Sequence, residues 1–193
     1  MRTPAIRHLM LASAVALASL SMVACTTTKP GTESAPRADS TTINTRADAA
    51  LQRLYTTAPG SKDLVARAQG VLIFPSVVGG SFVVGVEHGR GVLRVRGRNE
   101  AYYSTTAGSV GWQAGGQSKA VIYVFNTRQA LNEFQASKGW SVGGDATVAL
   151  GKVGANGSID TTSAQAPVTS FVLTNVGLEA GVSVQGAKIT KIE

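Results

Sequence analysis

The chain has 193 residues and one cysteine; 44% of its residues are hydrophobic, 15% are charged, and its formal net charge at pH 7 is +7. This length suits one domain with a single core and is short for two, and a lone cysteine excludes an internal disulfide. The basic surplus favours anionic partners such as lipid headgroups or nucleic acid, and the 22 glycines among many Val, Thr, Ser and Ala favour strands over a helix bundle.

The first residues have the pattern of a bacterial lipoprotein signal. Arg2 and Arg7 precede an uncharged apolar run over residues 9–24, and Cys25 follows this run directly. The run contains three serines and is shorter than the ~20 apolar residues of a membrane span, so we expect residues 1–24 to be removed as a signal peptide. Residues 21–25 resemble a lipobox, so we expect Cys25 to carry fatty acyl chains such as palmitate. Plain secretion is the alternative.

The residues after Cys25 predict where the domain lies. Thr26, rather than Asp, implies sorting of such a lipoprotein to the outer membrane, with the domain facing the periplasm. Residues 25–42 are rich in Thr, Ser, Pro and Ala and predict a flexible tether, which leaves residues 43–193 as the single folded domain. For an exported chain, lipid is the expected partner and nucleic acid is not.

Two helices are predicted at the start of this domain. Apolar residues recur at spacings of three and four, and the first helix ends at Pro59-Gly60; these residues are Ala47, Leu51, Leu54, Tyr55 and Ala58. A second, shorter helix covers residues 61–68 and begins with a capping serine. We expect the apolar stripe of the first helix to pack on the sheet. The alternative is that it dips into the bilayer interface, with Arg46, Arg53 and Lys62 toward the headgroups.

Strand patterns dominate the rest of the chain. Residues 71–75 form an apolar run typical of a strand buried on both faces. A hairpin turn at residues 88–91 is expected to join strands at 81–87 and 92–96. Further strands are predicted at residues 101–105, 109–117, 119–125, 170–175, 178–184 and 187–192. One helix is predicted near residues 127–137, with Asn126 as its N-cap.

These elements predict an α+β fold that is mostly β. Short turns favour an antiparallel sheet, and glycines at strand positions permit bulges and coiling that would close the sheet into a barrel or sandwich. The glycines in question are Gly85, Gly111, Gly115, Gly116, Gly143 and Gly144.

The order of several segments resembles the SYLF domain, a lipid-binding family. The resembling segments are residues 68–76, 79–85, 91–93, 108–117 and 143–149. The resemblance implies binding of anionic phospholipids, which are phosphoinositides in eukaryotic relatives, through a basic surface and an amphipathic amino-terminal helix. Some relatives bind actin, a partner that we do not expect for an exported bacterial lipoprotein. The chain departs from the family at residues 98–102.

The candidate headgroup site is a group of arginines on one predicted strand. Alternate residues of a strand face the same way, so Arg90, Arg94, Arg96 and Arg98 are expected on one face. Guanidinium groups bind phosphate by paired hydrogen bonds. The alternative is a solvated strand face that protects a sheet edge from aggregation.

Other chemistry has little support in the sequence. Trp112 and Trp140 are interpreted as core residues, with interfacial anchoring as the alternative. His88 is the only histidine left after signal removal, and no cluster of His, Asp and Glu suggests a metal site. We therefore expect a non-catalytic, membrane-anchored lipoprotein without a cofactor or metal ion. The alternatives are an envelope module that binds a protein partner or has a structural role and, less favoured, an enzyme acting on lipid or peptidoglycan.

Overall fold

The computed structural model describes residues 38–81, 84–110, 113–153, 158–179 and 184–192. The predicted signal peptide, Cys25, most of the predicted tether and Trp112 lie outside these residues. Residues 35–193 form one compact unit. None of the helices in the described part combines the length and the apolar character that a membrane crossing requires.

The described residues form four helices and nine strands. The helices are α1 Ala38–Thr57, α2 Ser61–Arg67, α3 Arg128–Ala136 and α4 Thr161–Gln165. The strands are β1 Gly70–Ser81, β2 Val84–Val95, β3 Arg98–Val110, β4 Gln113–Phe125, β5 Trp140–Ser141, β6 Val148–Leu150, β7 Val168–Thr174, β8 Gly177–Glu179 and β9 Lys188–Ile192. The predicted α+β fold, mostly β, is confirmed.

All nine strands belong to one sheet, which curls into a half-barrel. The strand order is β5-β9-β3-β2-β1-β4-β7-β6, with β8 paired to β7, and β6 with β7 is the parallel pair among these strands. In a flat sheet β3 and β4 would lie ~14 Å apart, three strand spacings. Val110 ends β3 and Gln113 begins β4, and three consecutive Cα–Cα steps span at most ~11 Å. The sheet must therefore curl at this end, as the glycine-rich sequence predicted.

Apolar side chains cover both faces of the sheet around β1. Val71 and Ile73 belong to a buried cluster with residues of α1, and we call this side the α1 face. Leu72 and Phe74 belong to a second cluster with residues of α3 on the α3 face. The prediction that this strand is buried on both faces is confirmed, because these four residues are at most 7% exposed.

Helix α1 packs on the sheet by its apolar stripe. Ala47 and Leu54 are fully buried, Ile43 and Ala50 nearly so, and they contact the α1-face cluster. The prediction of packing on the sheet is confirmed for this stripe. The helix begins at Ala38, inside the segment that composition predicted as tether.

The predicted hairpin turn at residues 88–91 is wrong. Those residues lie in the middle of β2, where Gly89 pairs with Val77 of β1 and Thr105 of β3. The two glycines here permit close strand contact rather than a turn. The chain reverses instead at Arg96-Gly97, where both residues have positive φ, 51° and 77°, as two-residue hairpin turns require.

Candidate functional site

The four predicted arginines do not share one strand face. Arg90 and Arg94 lie on β2, Arg96 lies in the turn after it, and Arg98 is the first residue of β3. The prediction of one strand bearing all four side chains is therefore wrong, because the chain reverses direction at Arg96-Gly97.

Arg94 is occupied by contacts within the domain. Its Nη1 donates to Asp48 Oδ1 of α1 at 2.6 Å, and its Nε donates to Asn99 Oδ1 at 3.0 Å. Its Nη2 also donates to the backbone oxygen of Asn44 at 3.3 Å. The Arg94 side chain is 15% exposed, so it ties α1 to the β2–β3 hairpin and has little surface left for a ligand.

Arg90 lies further along the α1 face of β2, away from the hairpin turn. Its side chain is exposed, and its register partners are Ser76 of β1 and Ser104 of β3. It is not among the residues that line the cleft described next.

Three arginines from separate elements line one cleft of ≈ 580 Å³. Arg96 comes from the hairpin turn, Arg98 from β3, and Arg128 from the first turn of α3. All three are exposed, and within the described residues none of their side chains makes a hydrogen bond or ion pair. We call this site the arginine cleft. Its further lining residues are Gln69, Val95, Glu100, Leu131, Asn132 and Gln135.

The lining of the arginine cleft is suited to an anion. Its three guanidinium groups outnumber the single carboxylate in the described lining, that of Glu100. The amides of Gln69, Asn132 and Gln135 add neutral donors. Guanidinium forks bind phosphate or carboxylate oxygens in pairs, and groups from several directions can surround one anion.

Sequence reasoning missed Arg128. It lies in a helix that was predicted, but about thirty residues separate it from Arg96 and Arg98 along the chain. Thr127 caps this helix by accepting a hydrogen bond from the backbone N–H of Ala130 at 3.2 Å. Nearby, the backbone N–H of Gln69 donates to the backbone oxygen of Phe125 at 2.8 Å. The pairing of β1 with both β2 and β4 brings α3 beside the hairpin turn, and no local pattern encodes this proximity.

A second depression of ≈ 340 Å³ adjoins the arginine cleft. We call it the apolar groove, because helices α1 and α2 and strand β1 supply its mostly apolar walls: Leu51, Tyr55, Val65, Ala66, Ala68 and Val71. Arg96 lines both sites, and Gly97 and Arg94 also border the groove. Burial raises the pKa of Tyr55, opposed by the nearby charge of Arg94.

The predicted membrane-proximal residues do not converge on the arginine cleft. Arg46 is exposed on α1, while Arg53 donates to the Thr174 oxygen of β7 at 2.7 Å. Leu51 and Tyr55, which line the apolar groove, are half-buried. Leu54 does not line the groove and is fully buried under the helix. Trp140 is 2% exposed and packs edge-to-face against Phe134, so its interpretation as a core residue is confirmed.

Within the described residues, the remaining polar groups form no recognisable reaction centre. Glu87 pairs with Lys119 at 2.8 Å, and His88 Nδ1 lies 3.4 Å from Thr106 Oγ1. No group of three or more His, Cys, Asp and Glu side chains suited to a metal ion occurs in the part of the chain that the structure describes.

Comparison with known proteins points to a family of binding modules. Residues 106–193 match the family model Ysc84, described as Las17-binding protein actin regulator. The match confirms the predicted resemblance to the SYLF-domain family, which comprises lipid- or actin-binding modules and is not known as enzymatic. It includes Arg128 but begins after Arg96 and Arg98. None of the curated proteins compared with the chain matches it.

Proposed function

We propose, from the match of residues 106–193 to the Ysc84 (SYLF) family model, that this protein binds anionic phospholipids and holds their headgroups in the arginine cleft. The observation that carries the proposal is the convergence of Arg96, Arg98 and Arg128, unpartnered within the described residues, on one concave site. As the candidate headgroup site, the cleft replaces the predicted strand face, because Arg94 of that face is paired with Asp48.

The electrostatics of a bilayer favour this assignment. Each basic residue near an anionic membrane surface contributes about 1 kcal/mol, and the attraction falls off within a Debye length of ~8 Å at physiological salt. Three arginines in one cleft would together supply ~3 kcal/mol of attraction. An anchor that keeps the domain close to the bilayer would raise the effective concentration of headgroups at the cleft and so strengthen this binding.

A lipid on Cys25 would be such an anchor, and we include it in the proposal. Its support is the sequence pattern alone: an apolar run, a lipobox-like segment and Thr26, which together suggest the periplasmic side of the bacterial outer membrane. Twelve residues, 26–37, separate Cys25 from α1, and the thirteen Cα–Cα steps from Cys25 to Ala38 span at most ~47 Å. The cleft would thus stay close to the headgroup layer.

Vesicle flotation tests the role of the cleft. The protein is residues 25–193 with Cys25→Ser, which retains every described residue and lacks the apolar run. We expect it to float with vesicles containing phosphatidylglycerol and to stay behind with phosphatidylcholine alone. The triple variant R96Q/R98Q/R128Q should lose at least tenfold in affinity for the anionic vesicles, because the three attractions are removed together.

Two controls separate the cleft from general charge. The variant K138Q/K152Q/K191Q removes the same number of positive charges from exposed lysines outside the cleft and should retain most of the binding. The variant R46Q should also retain most of the binding, because Arg46 is exposed on α1 and lines neither the arginine cleft nor the depression beside it. Equal losses in the two triple variants, or equal flotation with neutral and anionic vesicles, would contradict the proposal.

The family description gives a reason to test actin as well. If the protein sediments with actin filaments and does not bind vesicles, it is a protein-binding module. Salt-insensitive capture of one envelope protein without vesicle binding would favour the structural alternative.

A further inference from the structure

The arginine cleft and the apolar groove meet at one residue. Arg96 lines both, so a cationic site of ≈ 580 Å³ continues into a largely apolar one of ≈ 340 Å³. The positive φ of Arg96 fixes this junction, because the tight turn with Gly97 presents the side chain between α3 on one side and the α1–α2 pair on the other.

The apolar groove has the lining of a hydrocarbon site. Leu51 and Tyr55 of α1, Val65 and Ala66 of α2 and Val71 of β1 form its walls. Besides Arg96, the one charged group in its described lining is Arg94, which Asp48 neutralises. Its volume lies at the lower end of the range for small-molecule sites, so it fits part of one flexible chain rather than a two-chain lipid.

We propose that the apolar groove takes part of an acyl chain of the anionic lipid whose headgroup lies in the arginine cleft, so that the domain binds a single lipid molecule. This inference rests on the proposed function and adds the apolar half of the ligand. An anionic headgroup joined to a hydrocarbon chain complements the arginine cleft and the apolar groove that adjoins it. Inorganic phosphate or a free headgroup would fill the cleft alone.

Photocrosslinking tests the inference on the full chain with Cys25→Ser. Vesicles contain phosphatidylglycerol with a diazirine at the end of one acyl chain, and labelled peptides are identified by mass spectrometry. We expect labelling within the domain to concentrate at residues 51–71. The same diazirine on phosphatidylcholine should label this segment at least fivefold less. Excess glycerol phosphate, the headgroup without a chain, should reduce labelling by the anionic probe through competition for the cleft.

Groove-filling variants provide the matched comparison. Ala66→Trp places a large side chain in the groove, and Ala66→Glu, a change that an exposed helix position tolerates, places a carboxylate there. Both should lower labelling of residues 51–71 at least fivefold. Ala49→Trp, at an exposed position of α1 that does not line the groove, should leave it unchanged. Labelling that is insensitive to both Ala66 variants, or equally strong at the exposed Val78 and Val176, would overturn the inference.

Failure of this inference can be told apart from failure of the proposed function. If the protein binds anionic vesicles through the three arginines but the groove is not labelled, the domain binds headgroups only and the groove inference is wrong. If the phosphatidylcholine probe labels the groove as strongly as the anionic probe, the link between groove and cleft is wrong. Loss of charge-dependent flotation contradicts the proposed function itself, whatever the labelling.

Discussion

Two glycines of β2 lie where any side chain would collide with β1. A Cβ on Gly91 would fall on the Ile73 carbonyl oxygen and 2.6 Å from the Phe74 ring. A Cβ on Gly89 would lie 2.8 Å from the Ser76 carbonyl oxygen. Both lie beside the irregular pairing of β1 with β2 between Ile73 and Ser76, so the missing side chains permit a bulge there.

We predict that Gly91→Ala destabilises the domain by about 1–3 kcal/mol, the usual cost of forcing an extra methyl group into a packed core. Gly108→Ala is the matched control, because it also lies in a strand but no atom lies within 4 Å of its added Cβ. This control should be neutral or stabilise by up to ~1 kcal/mol through the entropy of the unfolded chain. Urea unfolding of both variants provides the measurement. Equal stabilities would show that β1 moves aside without cost.

The candidate arginines show what a sequence can and cannot predict about single residues. The chain segment that contains Arg96 and Arg98 was identified from its charge, and both residues line the cleft. The ion pair of Arg94 with Asp48 could not be predicted, because Asp48 lies 46 residues earlier in the chain and meets Arg94 only when α1 packs on the sheet. Whether a charge is paired depends on tertiary contacts that strand periodicity does not contain.

Helix α3 connects the aromatic core to the arginine cleft. Phe134 packs against Tyr103, Phe125 and Trp140, with ring centroids 4.8, 4.9 and 5.3 Å away. Arg128 lies at the opposite end of the helix, beside the cap Thr127. The packed end thus fixes the direction in which the helix presents its arginine.

We predict that Thr127→Ala lowers the free energy of unfolding by about 1 kcal/mol, because the Ala130 amide loses its hydrogen-bond acceptor. Thr127→Ser keeps a hydroxyl at the same place and should cost much less. Thermal and urea unfolding of the two variants measure the difference. If alanine and serine have the same effect, the hydroxyl contributes nothing and the methyl group accounts for the loss.

The elements differ in how well the sequence predicted them. Helix α3 was predicted within one or two residues, but its cap is Thr127 and not Asn126, whose amide instead donates to Ala166 and Thr169. Helix α4 was not predicted, since its five residues are too few for apolar periodicity and Asp160 alone signals its start. The predicted strand at residues 109–117 is wrong, because β3 ends at Val110 and β4 begins at Gln113 within that range. Polar and glycine residues extend the observed strands beyond the apolar stretches that predicted them.

The whole domain is a curled sheet covered by helices on both faces, and its class could be predicted from composition and alternation. The strand order could not, because β3 and β4 are neighbours in sequence yet β2 and β1 lie between them. This order depends on which strands pair, and the pairing is decided by burial of both clusters at once. The arginine cleft depends on the same pairing, which explains why only part of it was found from the sequence.

The buried tyrosines of this sheet and of α1 predict an alkaline limit to stability. Burial raises the pKa of Tyr55, Tyr103 and Tyr123 above the ordinary value of 10.0, and the negative charges of Glu100 and Glu87 add to the rise for Tyr103 and Tyr123. Above about pH 10 the unfolded chain loses these protons while the folded chain keeps them. The contribution of these tyrosines to the free energy of unfolding is therefore fully present below about pH 10 and is lost as the pH rises further.

Tyr123 should contribute the steepest part of this loss, because it is 1% exposed and its pKa is raised the furthest. Its share approaches ~1.4 kcal/mol per pH unit above pH 10, the value for one proton held by the folded state only. We expect Tyr123→Phe, which has no group to ionise, to show a shallower decline between about pH 9 and pH 11 in urea unfolding. The two proteins differ by this hydroxyl alone, so the difference in slope isolates its contribution. Parallel declines would mean that Tyr123 ionises as easily in the folded domain as in the unfolded chain, and that the half-barrel admits water to its centre.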